Sequence, residues 1–150
     1  MIDDLDKRLI AELARDARQP STQLSRKLGV SDTTIRHRIS RLQAQQIITT
    51  TIVPYADKLG YTIIALIALQ ADLGNIDDIT QALIDHPNVH YVAECTGNHD
   101  ILVGVWFYSI SELTQLAKEF LAKLPGIKRS ETHIILNVQK NDVGWLQSSQ

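Results

Sequence analysis

Residues 21–42 (STQLSRKLGVSDTTIRHRISRL) constrain the fold of this chain most, because they predict two short helices that meet at a tight turn. Leu24 and Leu28 lie four residues apart, on one face of a first helix. Gly29 follows where a left-handed backbone ends a helix, and Ser31 is placed to cap a second one. That second helix carries a single apolar stripe, formed by Ile35, Ile39 and Leu42.

The polar side of the second helix has the composition of a DNA-reading surface. At about 100° per residue, the face opposite the stripe carries Thr33, His37, Ser40 and Arg41, flanked by Thr34 and Arg36. Hydroxyl, imidazole and guanidinium groups bond to base edges, and arginine pairs with guanine or phosphate. Between residues 18 and 43, six basic residues stand against a single acid, in a chain of formal charge −2.

These features predict a helix-turn-helix whose recognition helix enters the major groove of double-stranded DNA. The candidate DNA-binding residues are Ser31, Thr33, Thr34, Arg36, His37, Arg38, Ser40 and Arg41, with Arg26 and Lys27 for phosphate. An ordinary helical hairpin with a solvated polar face is the alternative.

Composition limits the class of protein. With 44% hydrophobic and 21% charged residues the chain is typical of a folded globular protein. Its apolar runs are too short to span a bilayer and its start is acidic, so we expect a cytoplasmic protein with no membrane partner. Residues 1–60 sum to +3 (ten basic, seven acidic) and residues 61–150 to −5 (five basic, ten acidic), which suggests two modules.

The first module, residues 1–53, is predicted to be a winged helix-turn-helix. A helix from about residue 4 to 15 has an apolar stripe of Leu5, Leu9, Ile10 and Leu13. Residues 47–53 are all β-branched and predict a strand, either a wing or an exit strand. Residues 54–61 are expected to be a linker.

The second module, residues 62–150, predicts a βαββαβ order. Strands are expected at residues 63–71, 89–96, 100–108 and 127–138, and the remainder up to Gln150 as a short tail. One helix begins near Ile76, and another is expected to be capped by Ser111. This order is the ferredoxin-like arrangement, so the whole chain is an α+β protein. Both helices cover one face of the sheet, and we expect the other face to pack on a second copy in a homodimer.

The chain resembles the feast/famine, or leucine-responsive/asparagine-regulator (Lrp/AsnC), family of transcription regulators. The resemblance is carried by LDKRLIAELARDAR, LSRKLGVSDTTIRHRISRL, IITTTIVPYADKLGY, TGNHD and HIILN, in that order and spacing. It implies a winged helix-turn-helix joined to a ferredoxin-like effector-binding and oligomerisation domain. It further implies dimers that assemble into larger rings, commonly octamers, and a response to amino acids or related small metabolites.

The segment TGNHD at residues 96–100 is the candidate effector site. Gly97 gives room for a ligand or an unusual backbone angle, and Asp100 can accept a hydrogen bond from an ammonium group. A plain hairpin turn explains the same residues and stays open as the alternative. The resemblance implies an effector pocket built from Gly97, Asn98, His99 and Asp100, with Thr132 and Ile134 of the last strand supplied across subunits.

No catalytic, metal or cofactor site is predicted. The spacing of the single Cys95 and the histidines does not fit zinc, and Glu131 and His133 are not expected to form an acid–base pair. The expected function is therefore a DNA-binding regulator, not an enzyme, whose assembly or DNA affinity responds to an amino acid. An enzyme on the same scaffold, like the haem-pathway decarboxylases that resemble these regulators, and a sensor without DNA binding are the alternatives. The positive charge between residues 18 and 43 favours the regulator.

Overall fold

The structure, a computed structural model, describes residues 1–140, and the predicted tail up to Gln150 lies outside them. The described residues divide into two compact units, Met1–Val53 and a second that begins at Pro54. Within residues 1–140, none of the helices has the length and apolar character needed to cross a membrane.

The first unit is a three-helix bundle of α1 (Asp4–Arg15), α2 (Ser21–Leu28) and α3 (Asp32–Ala44). Gly29 ends α2 in the left-handed conformation with φ +73°. The Ser31 hydroxyl caps α3 by accepting a hydrogen bond from the Thr34 N–H at 3.1 Å. The buried core of the unit consists of Leu9, Leu24, Leu28, Ile35 and Leu42. The predicted helix-turn-helix is confirmed.

Residues 47–53 do not form the predicted strand. They lack regular secondary structure, and the Ile52 and Val53 side chains are exposed. β-branched residues favour an extended backbone, but a strand also needs a partner for its hydrogen bonds. Within residues 1–140, the backbone groups of residues 49–53 form no hydrogen bond with a strand, so the local preference has no partner there.

The second unit is a four-stranded antiparallel sheet covered by helices on one face. Its strands are β1 (Ile63–Ala71), β2 (Val89–Glu94), β3 (Ile101–Phe107) and β4 (Ile127–Ile134), in the order β2-β3-β1-β4. The helices α4 (Ile76–Ile84) and α5 (Ile110–Gln115) alternate with them. This is the predicted ferredoxin-like order, although β2, β3 and β4 are each shorter than the sequence suggested.

Strand β3 shows how the two faces of the sheet differ. Ile101, Val103, Val105 and Phe107 are fully buried beneath the helices. Leu102 and Trp106 alternate with them and point to the opposite face, where each is only half-buried. That opposite face, here called the open face, also carries Ile64, Leu66, Ala68, Tyr91, Ala93 and Gly104, which are paired with one another or with Leu102 and Trp106 across the sheet.

The second helix of this unit differs from its prediction at both ends. Its cap is Ser109, not Ser111, because the Ser109 hydroxyl accepts the Glu112 N–H at 3.3 Å. After Gln115 the helix widens into a π-helical turn over Leu116–Phe120 and then tightens to a 3-10 turn. Leu113, Leu116 and Leu121 nevertheless all reach the core.

The predicted linker, residues 54–61, is partly folded. It contains a single 3-10 turn (Ala56–Leu59) in which Ala56 is buried. Next to this turn, the ring of Tyr61 stacks on that of Tyr108 with centroids 4.3 Å apart. These contacts attach the segment to the second unit.

Candidate nucleic-acid interface and effector loop

The outer face of α3 is an exposed polar surface. Ser31, Thr33, Arg36, His37 and Ser40 are all exposed. Thr34 is half-buried, with its hydroxyl 2.8 Å from the Ser31 hydroxyl. Here hydrogen-bonding groups project from a helix that is itself fixed by Ile35 and Leu42 in the core.

Arg36 is held only by weak surface contacts. Its Nη2 lies 2.8 Å from Asp32 Oδ2, and its Nε donates to the Ser21 hydroxyl at 3.3 Å. The Arg36 side chain is 69% exposed. Since an exposed pair between positions i and i+4 contributes only about 0.3–0.5 kcal/mol, the guanidinium can exchange this partner for another anion.

Arg38 and Arg41 are placed differently, on carboxylates at the start of α1. Arg38 Nη1 donates to both carboxylate oxygens of Asp3 at 2.6 Å and to Asp6 Oδ1 at 2.8 Å. Arg41 Nη2 donates to Asp6 Oδ2. The prediction that Arg41 lies on the outward face is therefore wrong. Arg41 lies at the edge of the polar face of α3, and its long side chain reaches the nearest carboxylate, that of Asp6.

Asp3 and Asp6 also cap α1. The Asp6 N–H donates to Asp3 Oδ1 at 2.8 Å, and the Asp3 N–H donates to Asp6 Oδ2 at 3.0 Å, which is a reciprocal capping box. Asp6 is completely buried. Burial by itself raises the pKa of Asp6, but the hydrogen bonds from Asp3, Arg38 and Arg41 outweigh it and lower the pKa to about 2. The Arg38 hydrogen bond likewise lowers the pKa of Asp3, so both carboxyls are charged at neutral pH.

Lys27 is also engaged with α1. Its Nζ lies 2.7 Å from Glu12 Oε2 and 2.6 Å from Gln19 Oε1. Arg26, one residue earlier, is exposed and has no side-chain partner within residues 1–140. Sequence reasoning missed the contacts that Asp3, Asp6 and Glu12 make with α2 and α3.

The loop between β2 and β3 is closed by its own hydrogen bonds. The Cys95 N–H donates to the Asp100 carbonyl at 2.9 Å, and Cys95 Sγ lies 3.2 Å from the His99 carbonyl oxygen. Gly97 has φ +118°, which favours glycine. Asp100 Oδ2 accepts the Ala71 N–H at 2.9 Å, so its carboxylate ties the loop to the end of β1.

His99 turns toward the edge strand β4. Its Nε2 lies 3.3 Å from Glu131 Oε2, and Arg129 Nη2 lies 2.7 Å from the other oxygen of that carboxylate. His133 Nε2 is 3.9 Å from Glu131 Oε2, which is too far for a hydrogen bond, but the two side chains lie on the same face of β4. Residues two apart on a strand share a face.

The six predicted effector residues do not form one cluster in this chain. Thr132 and Ile134 pair with Ile67 and Ala65, so they point to the helix-covered side of the sheet. No hydrogen bond or ion pair within residues 1–140 joins them to the loop. Within the chain, Glu131 is the residue of β4 that contacts the loop, through His99. Sequence reasoning missed it, although charged residues at every second position of a strand indicate a charged face.

Sequence comparison assigns both units to known domains. Residues 2–43 match the AsnC-type helix-turn-helix domain, and residues 64–145 match the Lrp/AsnC ligand binding domain. An uncharacterized HTH-type transcriptional regulator of Pyrococcus furiosus is 34% identical, over 93% of this chain and 95% of its own. The HTH-type transcriptional regulator FL11 of the same organism is 30% identical, over 93% of each chain.

Solved structures share the fold over nearly the whole length. Escherichia coli AsnC superposes with a TM-score of 0.86 at 25% identity, covering 94% of this chain and 96% of its own. The transcriptional regulator NMB0573 of Neisseria meningitidis, solved as a complex with L-Met, has the same fold with a TM-score of 0.86 at 17% identity, over 94% of each chain. With its helix-turn-helix and its ferredoxin-like ligand-binding domain, this chain belongs to the Lrp/AsnC family of DNA-binding transcriptional regulators.

Proposed function

We propose that α3 reads operator DNA with the exposed face described above. The observation that carries this proposal is the combination of hydroxyl, imidazole and guanidinium groups on one side of a helix whose other side is buried. Arg36 and His37 are assigned to base edges or phosphate, with Ser31, Thr33, Thr34 and Ser40 beside them, and Arg26 to phosphate. A dimer presents two such helices to successive major grooves, about 34–36 Å apart on a near-palindromic site.

Arg36→Gln tests this assignment. A guanidinium on a guanine edge contributes about 1–3 kcal/mol, so affinity for an operator obtained by selection from random duplexes is expected to fall about 5-fold to 150-fold. Fluorescence anisotropy measures the change. Arg129→Gln, which removes the same charge from the second unit, is the matched control and keeps wild-type affinity. If Arg36→Gln bound the operator as tightly as wild type, the assignment of this face of α3 to DNA contact would be wrong.

The open face of the sheet is proposed to be the homodimer interface. It is apolar along three adjacent strands, with Ile64, Leu66, Leu102 and Trp106 at its centre. A second copy of this chain is the natural occupant, since two such faces are alike in chemistry and pack as a symmetric pair. Further assembly of dimers, commonly to octamers in the family, is part of the proposal.

The ligand-binding domain is proposed to bind an amino acid or a related metabolite at the loop of residues 96–100. Gly97, Asn98, His99 and Asp100 form the loop side, and Thr132 and Ile134 are supplied by a neighbouring subunit. L-methionine is a sensible first probe, because the Neisseria meningitidis relative was solved with L-Met. The ligand acts by binding one assembly more tightly than another.

Light scattering after size-exclusion chromatography, with each of the twenty amino acids, tests the effector proposal. An effector is expected to shift the distribution between assemblies, and Asp100→Asn is expected to weaken that response. Asn keeps an oxygen for the Ala71 N–H and loses only the charge that faces an ammonium group. If Asp100→Asn responded to the effector as wild type does, Asp100 would not be the group that binds the ammonium.

We infer that the chain acts as a cytoplasmic regulator and not as an enzyme. The named relatives are transcriptional regulators, and α3 carries the exposed polar face that we assign to DNA. Salt dependence separates the possibilities, because binding through several phosphates weakens steeply as salt rises. Affinity that stays flat between low and moderate salt would favour an enzyme or a sensor on the same scaffold.

A further inference from the structure

The two carboxylates at the start of α1 hold two arginines of the recognition helix. Asp3 and Asp6 together occupy Nη1 of Arg38, and Asp6 also binds Nη2 of Arg41. We call these four side chains the α1–α3 ion-pair cluster. It joins the first turn of α1 to the second half of α3, residues far apart in sequence.

Burial makes this cluster hard to dissociate. The Asp6 side chain is 0% exposed, whereas Asp32, the partner of Arg36, is 32% exposed. If Arg38 and Arg41 left for a phosphate, Asp6 would remain as a buried charge without an ionic partner, bound only by the Asp3 N–H, which is strongly unfavourable. Asp32 is partly exposed, and water can replace Arg36 at its Oδ2 when Arg36 leaves, so the two kinds of pair respond differently to DNA.

The hydrogen bonds of Arg41 also indicate that its guanidinium stays on Asp6. Its Nε is buried without a hydrogen-bond partner within residues 1–140, while its Nη2 reaches Asp6. The guanidinium therefore gives up one hydrogen bond and keeps the carboxylate. Since burial normally requires every donor to be paired, Asp6 decides where this side chain lies.

We propose that Asp6, assisted by Asp3, is a positioning residue that withdraws Arg38 and Arg41 from DNA phosphates and leaves recognition by α3 to Arg36 and His37. This inference rests on the proposed DNA-binding function and narrows it. Two of the three arginines of α3 then serve to fix the angle between α1 and α3. The sequence-specific part of the surface is confined to the first half of the helix and its outer face.

Salt titration counts the phosphate contacts directly. Affinity for a mixed-sequence duplex of about 30 base pairs is measured by anisotropy at several salt concentrations, and the slope of log K against log salt changes by about 0.9 for each phosphate contact. Arg41→Gln is expected to keep the wild-type slope. Arg36→Gln is expected to reduce it by up to about 0.9. Arg129→Gln controls for net charge.

Asp6→Asn tests the withdrawal itself. Asn keeps an oxygen for the Asp3 N–H but removes the charge that holds the guanidinium groups. The released arginines are expected to steepen the slope by about 0.9 to 1.8, which corresponds to one or two new phosphate contacts. In Asp6→Asn/Arg41→Gln the gain should fall again by about 0.9, because one of the released arginines is absent.

The outcomes separate the inference from the function on which it rests. If Arg41→Gln reduces the slope by about 0.9, Arg41 contacts a phosphate and the inference is overturned while DNA binding stands. A wild-type slope near zero would instead overturn the proposed function. Circular dichroism verifies folding. If Asp6→Asn fails to fold, the salt slopes of Asp3→Asn and Arg41→Gln decide the question. The Asp3 side chain is 52% exposed, unlike that of Asp6.

Discussion

Leu102→Ala is expected to weaken the dimer without unfolding the chain. Leu102 lies on the open face of β3, between the buried neighbours Ile101 and Val103. Val103 belongs to the core beneath the helices, so the two adjacent positions report on opposite sides of the same strand. Substituting each by alanine separates assembly from folding.

The size of the effect follows from the area that a partner covers. Leu→Ala removes three carbon groups of about 0.8 kcal/mol each, or about 2.4 kcal/mol for a fully buried side chain. Leu102 is already half-buried in the single chain, so the partner covers about half of it, about 1.2 kcal/mol per copy. A two-fold interface contains two copies, and the total of about 2.4 kcal/mol raises Kd about 50-fold.

Sedimentation equilibrium over a range of concentrations measures the dimer constant, and urea unfolding measures stability. Val103→Ala is expected to lower the free energy of unfolding by about 2 kcal/mol, through lost burial and a residual cavity. Its dimer constant should stay within about threefold of wild type. The reasoning is refuted if Leu102→Ala dimerises like wild type, or if Val103→Ala weakens the dimer as much.

Two further predictions concern the helix-turn-helix unit. The pKa of Asp6 falls from 3.8 to about 2 on folding, so its contribution to stability is complete above about pH 5 and is lost as the pH falls through 3.8 toward 2. Urea midpoints against pH should show this loss in wild type and less of it in Asp6→Asn; parallel curves would contradict it. Ser31→Ala removes the cap of α3 and should lower the free energy of unfolding by about 1 kcal/mol, with Ser40→Ala, on the exposed side of the same helix, as the control. Equal urea midpoints for the two variants would show that the cap contributes nothing.

Local signals were enough to predict most of the fold. Gly29 and Ser31 act on the backbone within a few residues, so the turn between α2 and α3 follows from the sequence alone. The same holds for β1, whose observed limits are Ile63–Ala71 as predicted. The strand predicted at residues 47–53 failed because pairing is not a local property. Ser109 and Ser111 are both acceptable caps, and only the packing of the helix selects the first.

The sites were harder to predict than the fold. The sequence placed the exposed residues of α3 correctly, because helical periodicity fixes the direction of a short side chain. It could not place Arg41, since a guanidinium on a flexible stem goes to whichever carboxylate the tertiary structure brings near. Glu131 was missed because its contact with His99 also depends on the tertiary structure: it joins a loop to a strand about thirty residues away.

The π-helical turn at Leu116–Phe120 bears on how this helix tolerates change during evolution. A regular α-helix would separate Leu116 and Leu121 by about 140° around its axis, yet both are buried. The wider turn accommodates one extra residue and brings Leu121 back to the core. Deleting the exposed Lys118 would place Leu121 four positions after Leu116 and restore regular helical spacing. A single-residue deletion, normally disruptive inside a helix, is therefore expected to be tolerated here, because it leaves both leucines facing the core.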